Sequence, residues 1–430
     1  MTVGLLSLLA VLVLAFLRVP LAFALLSVSL AGISLVMGFD VARSLVPLTI
    51  SEAVFSYELA VVPMFILMGN ILARSGISDD LFRAANAFLG PVRGGLALST
   101  MVTCAGFSAV CGSSLATAAT MSKVAYPSMK RYGYSDQLAS ATIAAGGTLG
   151  ILIPPSIILM IYGILTQTNI GDLFVAAVIP GILGLLMYLG VVYAIACISP
   201  QDAPRGERTT TAEKLRSLRG VWPFTLLFVV IIGGLYGRLF TATEAAGLGA
   251  GLALILSIGQ RRMTWQSFRQ IFVETATTSV MLYSVLFGAL LFAKLISFSG
   301  LGEGILELVQ QAGLGPYQTL AAILLIFLLL GCVMESLAII LICVPLFLPL
   351  LMSHGFDLIW FGIIVVVVTE IALITPPIGM NVFVLKAALP HVRLGAIFRG
   401  LFPFVGIDLL RLLLLVAFPS ITLGLVAMMK

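Results

Sequence analysis

The chain has 430 residues, 60% of them hydrophobic and only 10% charged, with a formal net charge of +5. Soluble domains carry about 25% charged residues, so a water-soluble globular enzyme is excluded and a polytopic membrane protein is indicated, at roughly 20 apolar residues per crossing helix. The five cysteines (Cys104, Cys111, Cys197, Cys332, Cys343) sit in apolar runs without a CxxC pair, and His354 and His391 fall in predicted loops, so no metal, redox or nucleic-acid role is expected.

Apolar runs between charged or Gly/Pro breaks predict about ten crossings, near 3–17, 20–37, 51–73, 135–165, 172–198, 221–237, 241–259, 271–297, 357–386 and 400–428. The first lacks a basic n-region and its apolar run continues past Pro20, so it reads as a retained helix. Two further apolar segments, 94–130 and 317–352, are interrupted at Gly112-Ser113-Ser114 and Met334-Glu335-Ser336. Each half is too short to cross at about 1.5 Å per residue, so both read as re-entrant hairpins.

The longest polar stretch, 200–220, carries Arg205, Arg208, Lys214, Arg216 and Arg219. Lys/Arg-rich loops stay cytoplasmic. Fixing this loop inside puts Arg18, Arg74, Arg83, Arg93, Lys123, Lys130, Arg131, Arg261, Arg262, Arg269, Lys386, Arg393 and Arg399 on the same side. Both termini then lie outside, the first hairpin opens to the cytoplasm and the second to the exterior. Each half has an odd number of crossings, so 1–199 and 221–430 are predicted to form an inverted repeat about the basic loop. The halves also echo each other. Ser114 stands 40 residues before Pro154, Ser336 stands 40 before Pro376, and the second set lies 222 residues beyond the first. Ser75-Gly76 recurs as Ser299-Gly300, and Gly171-Asp172-Leu173-Phe174 as Gly395-Ala396-Ile397-Phe398, both at an offset of 224.

The run from Gly146 to Ser156 contains Pro154-Pro155 and cannot be a continuous helix, because proline lacks a donor and clashes with the preceding turn. Its freed carbonyls either serve a kink satisfied by neighbours or, with the tip Gly112-Ser113-Ser114, line a cation site. The second copy runs from Thr369 to Asn381 around Pro376-Pro377, with Glu335-Ser336 at its tip. A carboxylate deep in hydrocarbon marks function by default; Glu335 reads as a cation or proton ligand, or as a group favoured by a helix N-terminus. Glu370 either backs the second break or packs helices. Half-helix N-termini on each side favour an anionic substrate, and Ser156, Gly379 and Asn381 are the candidate substrate contacts. Asp408 and Arg411, three apart, are expected to neutralise each other. Thr241 or Thr243 caps the helix beginning there, and Lys294 snorkels to the outer interface. A hydrolase built on Ser113 or Ser114 would lack a base within reach, and a passive channel would not need two opposed cation sites.

The segments GSSLATAATM (112–121), AAGGTLGILIPPSIILMIYG (144–163), ATEAAGLGA (242–250), VPLFLPL (344–350), EIALITPPIGMNVFVLK (370–386) and IFRGLFPF (397–404) span nearly the whole chain. In them the chain resembles the large membrane subunit, the DctM-type permease, of the tripartite ATP-independent periplasmic (TRAP) transporters. The resemblance implies an all-α, inverted-repeat, elevator-type transporter of the bacterial cytoplasmic (inner) membrane. It would be driven by a sodium gradient and would import organic acids. Its implied partners are a periplasmic substrate-binding protein and a small four-helix membrane subunit. Carried over by position, a first sodium site would use Ser113, Ser114, Gly150, Ile153 and Pro155, and a second Glu335, Ser336, Ala372, Thr375 and Pro377. The second tip in this family often reads Asp-Pro; Glu335-Ser336 adds a methylene and removes a rigid turn. The nearest rival reading is a stand-alone sodium–dicarboxylate symporter.

Overall fold

A computed structural model describes residues 1–206 and 209–429. Arg208 of the basic loop lies outside the described residues. Every regular element among the described residues is helical. In chain order these are α1 (Thr2–Phe16), α2 (Leu21–Met37), α3 (Phe39–Val54), α4 (Val61–Arg74), α5 (Ile77–Leu89), α6 (Gly95–Cys111), α7 (Ser114–Arg131), α8 (Asp136–Thr148), α9 (Ile157–Thr166) and α10 (Ile170–Ile198). They continue with α11 (Thr211–Tyr236), α12 (Ala242–Gly259), α13 (Trp265–Phe298), α14 (Leu301–Gln311), α15 (Pro316–Gly331), α16 (Ser336–Ser353), α17 (Leu358–Ile374), α18 (Met380–Ala388), α19 (Leu394–Ala417) and α20 (Ser420–Met429).

Seven helical runs are long and apolar enough to cross a bilayer unaided: Tyr57–Arg74, Ile170–Ile198, Thr211–Tyr236, Ala242–Gly259, Trp265–Phe298, Ser336–Ser353 and Leu394–Ala417. Ser336–Ser353 is half of the segment 317–352, so the expectation that each half of that segment is too short to cross does not hold for it. The other segments read as crossings are shorter or divided. The runs 3–17 and 20–37 are α1 and α2, parted at Pro20. The runs 135–165 and 357–386 are each two helices either side of a proline pair. The run 400–428 ends at Phe418, because Pro419 cannot continue α19.

Four further elements depart from the sequence reading. α3 occupies 39–54, overlapping the expected crossing 51–73 only at its last turn, and starts after Gly38 at φ 95°. α5 and α14 each follow a left-handed glycine, Gly76 (φ 73°) and Gly300 (φ 65°). α11 begins at Thr211, inside the basic stretch, where Thr210 and Glu213 form a reciprocal capping box. Thr241 and Glu244 start α12 in the same way, which settles that cap on Thr241.

From Gly76 to Ile198 and from Gly300 to Ala417 the same succession occurs: a short helix, two helices meeting at a tip, a broken helix, then a long one. α2 lies along α13 as α4 lies along α12. The core is centred on α8 and α17. Every residue of α8 from Leu138 to Thr148 is buried, and every residue of α17 from Trp360 to Ile374. A helix apolar on all sides needs neighbours on all sides; α6, α7 and α19 surround α8, and α15, α19 and α10 surround α17. Many large apolar side chains, among them Phe16, Leu35, Ile198 and Val229, are exposed, as a lipid-facing surface requires. The two most enclosed helices are therefore also the two that break.

Candidate functional site

At the first tip, α6 ends on Gly112 in the left-handed region (φ 59°). A Cβ there would lie 3.3 Å from the Pro155 carbonyl oxygen and 3.5 Å from the Ile157 nitrogen. The bare backbone of the tip thus rests directly on the break between α8 and α9. Ser113 takes extended geometry, and its Oγ accepts from the Ala116 N–H (3.3 Å), capping α7. Its carbonyl accepts from the Thr117 hydroxyl (2.9 Å). The carbonyl of buried Ser114 faces Gly147, where a Cβ would sit 3.1 Å away. Gly150 backs onto Ser108, whose hydroxyl donates to Thr117 Oγ1 (3.2 Å).

Ser113, Ser114, Gly150 and Pro155 are therefore gathered around one break. Ile153 is on the same loop, but its side chain packs against Gly181 of α10, leaving its backbone as the only polar contribution. Ser156 is fully buried and its hydroxyl is engaged twice. It donates to the Ile151 carbonyl and accepts from the Leu159 N–H (3.3 Å), closing the start of α9.

The second break is tied to its hairpin by a backbone hydrogen bond. The Gly379 N–H donates to the Cys332 carbonyl (3.2 Å), tying the segment after Pro377 to the end of α15. Gly331 leaves no room for a Cβ against Ala372. Gly379 itself has φ 62°, with the Leu373 and Thr375 carbonyls 3.2 Å from where a Cβ would be. The Thr375 hydroxyl donates to the Ile371 carbonyl (2.6 Å). Both proline pairs, Pro154-Pro155 and Pro376-Pro377, are joined by cis peptide bonds. The two breaks differ in enclosure: Pro154 and Pro155 are buried, whereas Pro376 and Pro377 are exposed.

Glu335 occupies the N-cap position of α16 but makes no side-chain capping bond. It is exposed in a crevice of about 200 Å³ shared with Ala15, Phe16, Val19 and Leu21. Ser336 beside it is buried, and its hydroxyl has no partner among the described residues. Asn381 is buried, and its Nδ2 donates to the Ala144 carbonyl (3.2 Å). That bond joins α18, after the second break, to α8, before the first. Its Oδ1 has no partner among the described residues.

One constellation exceeds the sequence reading. Arg411 does not serve Asp408 alone. Its Nη2 lies 3.0 Å from Asp408 Oδ1 and also donates to Glu370 Oε2. The Tyr188 hydroxyl donates to Asp408 Oδ2 and sits 3.3 Å from Thr148 Oγ1. Gly184, one turn before Tyr188, has no room for a Cβ against the guanidinium. Thr148 is the last residue of α8, two before Gly150; Glu370 is two before Ala372. The cluster thus spans from one break to the other through α10 and α19. The sequence offers the Asp408–Arg411 spacing and a lone Glu370 as signals, and none for Thr148, Gly184 or Tyr188.

Residues 8–421 match the model of a family described as tripartite ATP-independent periplasmic transporter, DctM component. The chain belongs to this family. The C4-dicarboxylate TRAP transporter large permease protein DctM of Pseudomonas aeruginosa is 36% identical over 402 residues, 93% of each chain. The ectoine TRAP transporter large permease protein TeaC of Halomonas elongata is 33% identical over 85% of each chain. The sialic acid TRAP transporter large permease protein SiaM of Vibrio cholerae is 31% identical over 86% of each. The fold also matches the solved YdaH transporter of Alcanivorax borkumensis, with a TM-score of 0.58 at 14% identity over 89% of each chain. MtrF of Neisseria gonorrhoeae gives a TM-score of 0.59 at 13% identity, over 89% of this chain and 84% of that one. As a TRAP large permease the chain is a multi-pass membrane transporter component and not an enzyme.

Proposed function

We propose that this TRAP permease is the ion-coupled core of a sodium-driven importer of organic acids in the bacterial inner membrane. Residues 1–199 and 221–430 act as oppositely inserted repeats about the cytoplasmic 200–220 loop, with both termini periplasmic. The hairpin regions 94–130 and 317–352, together with the broken helices, move as an elevator against the remaining helices. Sodium binds as co-transported cargo at two places. Ser113, Ser114, Gly150, Ile153 and Pro155 hold the first ion; Glu335, Ser336, Ala372, Thr375 and Pro377 hold the second. Substrate lies between them near Ser156, Gly379 and Asn381, delivered by a periplasmic binding protein and with a small four-helix subunit alongside.

The observation that carries this reading is the closure of each tip on its own break, Gly112 on Pro155 and Cys332 on Gly379. Each closure concentrates backbone carbonyls and hydroxyls, the ligands a small hard cation takes in place of water. The engaged Ser156 hydroxyl limits that residue to a backbone or shape role unless its cap opens. Asn381 keeps a free amide oxygen and so is the better placed of the polar contacts.

The test is uptake of a labelled C4-dicarboxylate into proteoliposomes containing the chain, a four-helix partner and a binding protein. Uptake that needs all three and an inward sodium gradient supports the reading. Uptake by this chain alone would favour the stand-alone symporter, and uptake indifferent to sodium would reject both. In the same assay Glu335→Gln is expected to raise the sodium concentration for half-maximal uptake and to change its dependence on pH. A wild-type sodium curve at every pH would remove Glu335 from the second site.

A further inference from the structure

α13 is longer than a bilayer needs. Its 34 residues reach about 51 Å at about 1.5 Å each, against a hydrocarbon core of about 30 Å. The uncharged run from Thr275 to Ala293, bounded by Glu274 and Lys294, covers that core. The turns from Trp265 to Glu274 therefore stand at headgroup level. Trp265 and Phe272 are exposed there, and Phe268 lies between them, its ring centroid 5.5 Å from that of Trp265 and 4.7 Å from that of Phe272. Tryptophan is enriched at this membrane–water boundary.

Beside this aromatic stripe, the end of α4 and the start of α13 enclose a groove of about 420 Å³, lined by Arg74, Gln266, Arg269, Gln270, Val273 and Glu274. Its one carboxylate is already paired: Glu274 accepts from Arg74 Nε (3.1 Å) and Nη2. Gln270 Oε1 accepts from Arg74 Nη1 (2.8 Å), so that amide has its donating nitrogen left to offer. Arg269 meets no acid and no hydrogen-bond acceptor among the described residues. With two guanidiniums against one carboxylate, the groove is positive and rich in donors, the complement of a phosphodiester. We propose that it binds the headgroup of an anionic phospholipid. Arg269 pairs with the phosphate oxygens, and Gln266 and Gln270 donate beside it. Val273, exposed one turn further toward the hydrocarbon, meets the start of an acyl chain. Basic pockets between helices at this depth suit lipid headgroups, and the apolar flank favours a lipid over a free phosphate. The site depends on neither the sodium assignments nor the sidedness of the chain.

The test is native mass spectrometry of the purified full chain in detergent, titrated with phosphatidylglycerol or with phosphatidylcholine of the same acyl chains. A saturable phosphatidylglycerol adduct is expected, tighter than any phosphatidylcholine adduct. Arg269→Gln is expected to weaken it about fivefold, the effect of one basic residue near a charged membrane surface, and Arg269→Lys to keep most of it. Arg269 is exposed and has no partner among the described residues, so neither substitution removes a contact that holds the fold. Arg43→Gln is the control, because Arg43 is exposed on α3 and lies outside the groove; its affinity is expected to match wild type. Equal affinity for the two lipids, or the same loss in Arg43→Gln as in Arg269→Gln, overturns the proposal, since either marks nonspecific attraction. Inorganic phosphate at millimolar concentration is the competitor. An adduct that persists supports a lipid site, and one that phosphate displaces would give the groove to a soluble anion and overturn it.

Discussion

Replacing Arg411 with leucine is expected to lower the stability of the chain by about 3–5 kcal/mol, the loss seen when one member of a buried ion pair is removed. The reason is not one lost contact. Among the described residues Arg411 is the single cation facing two carboxylates, with Glu370 on α17 and Asp408 on its own helix. Through Asp408 it also fixes Tyr188 and, beyond it, Thr148 at the end of α8. Thermal unfolding in detergent micelles is the measurement. Adding Glu370→Gln and Asp408→Asn to Arg411→Leu is expected to recover most of the loss, because a buried charge cluster replaced by neutral groups of similar volume is often near neutral in stability. A leucine variant as stable as wild type would mean that the cluster does not tie α17 to α19. Loss without recovery in the triple variant would assign the effect to packing of the arginine stem against Gly184 rather than to charge.

What the sequence made legible follows from where its information is local. Pro154-Pro155 and Pro376-Pro377 each remove two consecutive donors, a heavier interruption than the single prolines that helices here contain, so both breaks are readable from four residues and their spacing. The long helices α10, α12 and α13 are readable because lipid demands an unbroken apolar run. α3 escaped because Asp40, Arg43 and Pro47 interrupt its apolar pattern, yet none of the three prevents a helix from forming. The partners of Lys294, which is expected to snorkel to the outer interface, were hidden with it: its ammonium donates to Thr49 on α3 (2.8 Å) and lies 3.4 Å from Glu52. α5 and α14 carry mixed polar and apolar residues that hydropathy alone reads as loop, although the glycines that start them were visible as a repeated Ser-Gly pair.

The buried cluster was only partly legible for a different reason. Asp408 and Arg411 are three apart on one helix, and local geometry foretells their contact. Glu370 joins them across 41 residues and Tyr188 across 220, and no local rule encodes either meeting. His391 is a similar case. It stands in a loop as expected, but its Nε2 lies 2.8 Å from the Tyr126 hydroxyl, which also donates to Asp136 (2.8 Å). This contact links the α7–α8 turn to the segment between α18 and α19, and it arises from packing of the two halves rather than from either sequence stretch alone.

Gly150→Val is expected to weaken the sodium dependence of uptake more than any side-chain deletion at the first break. A Cβ on Gly150 would lie 2.9 Å from both the Cβ and the Oγ of Ser108, too close for either to remain. Ser108 has no free direction of retreat, since its hydroxyl is held by Thr117 (3.2 Å), and the Thr117 hydroxyl in turn holds the Ser113 carbonyl (2.9 Å). Displacing Ser108 therefore moves the tip that supplies Ser113 and Ser114. Overpacking of this kind costs about 1–3 kcal/mol. At 1.4 kcal/mol per factor of ten, the half-saturating sodium concentration rises by about five- to a hundredfold if the strain falls on the ion-bound state. Ser114→Ala, which keeps the backbone carbonyl facing Gly147, is expected to have a smaller effect of the same sign. Gly251→Val on α12 is the control, because a Cβ there meets nothing within 4 Å. An unchanged sodium curve in a Gly150→Val protein that still transports would separate the first break from sodium binding, whatever the second one does.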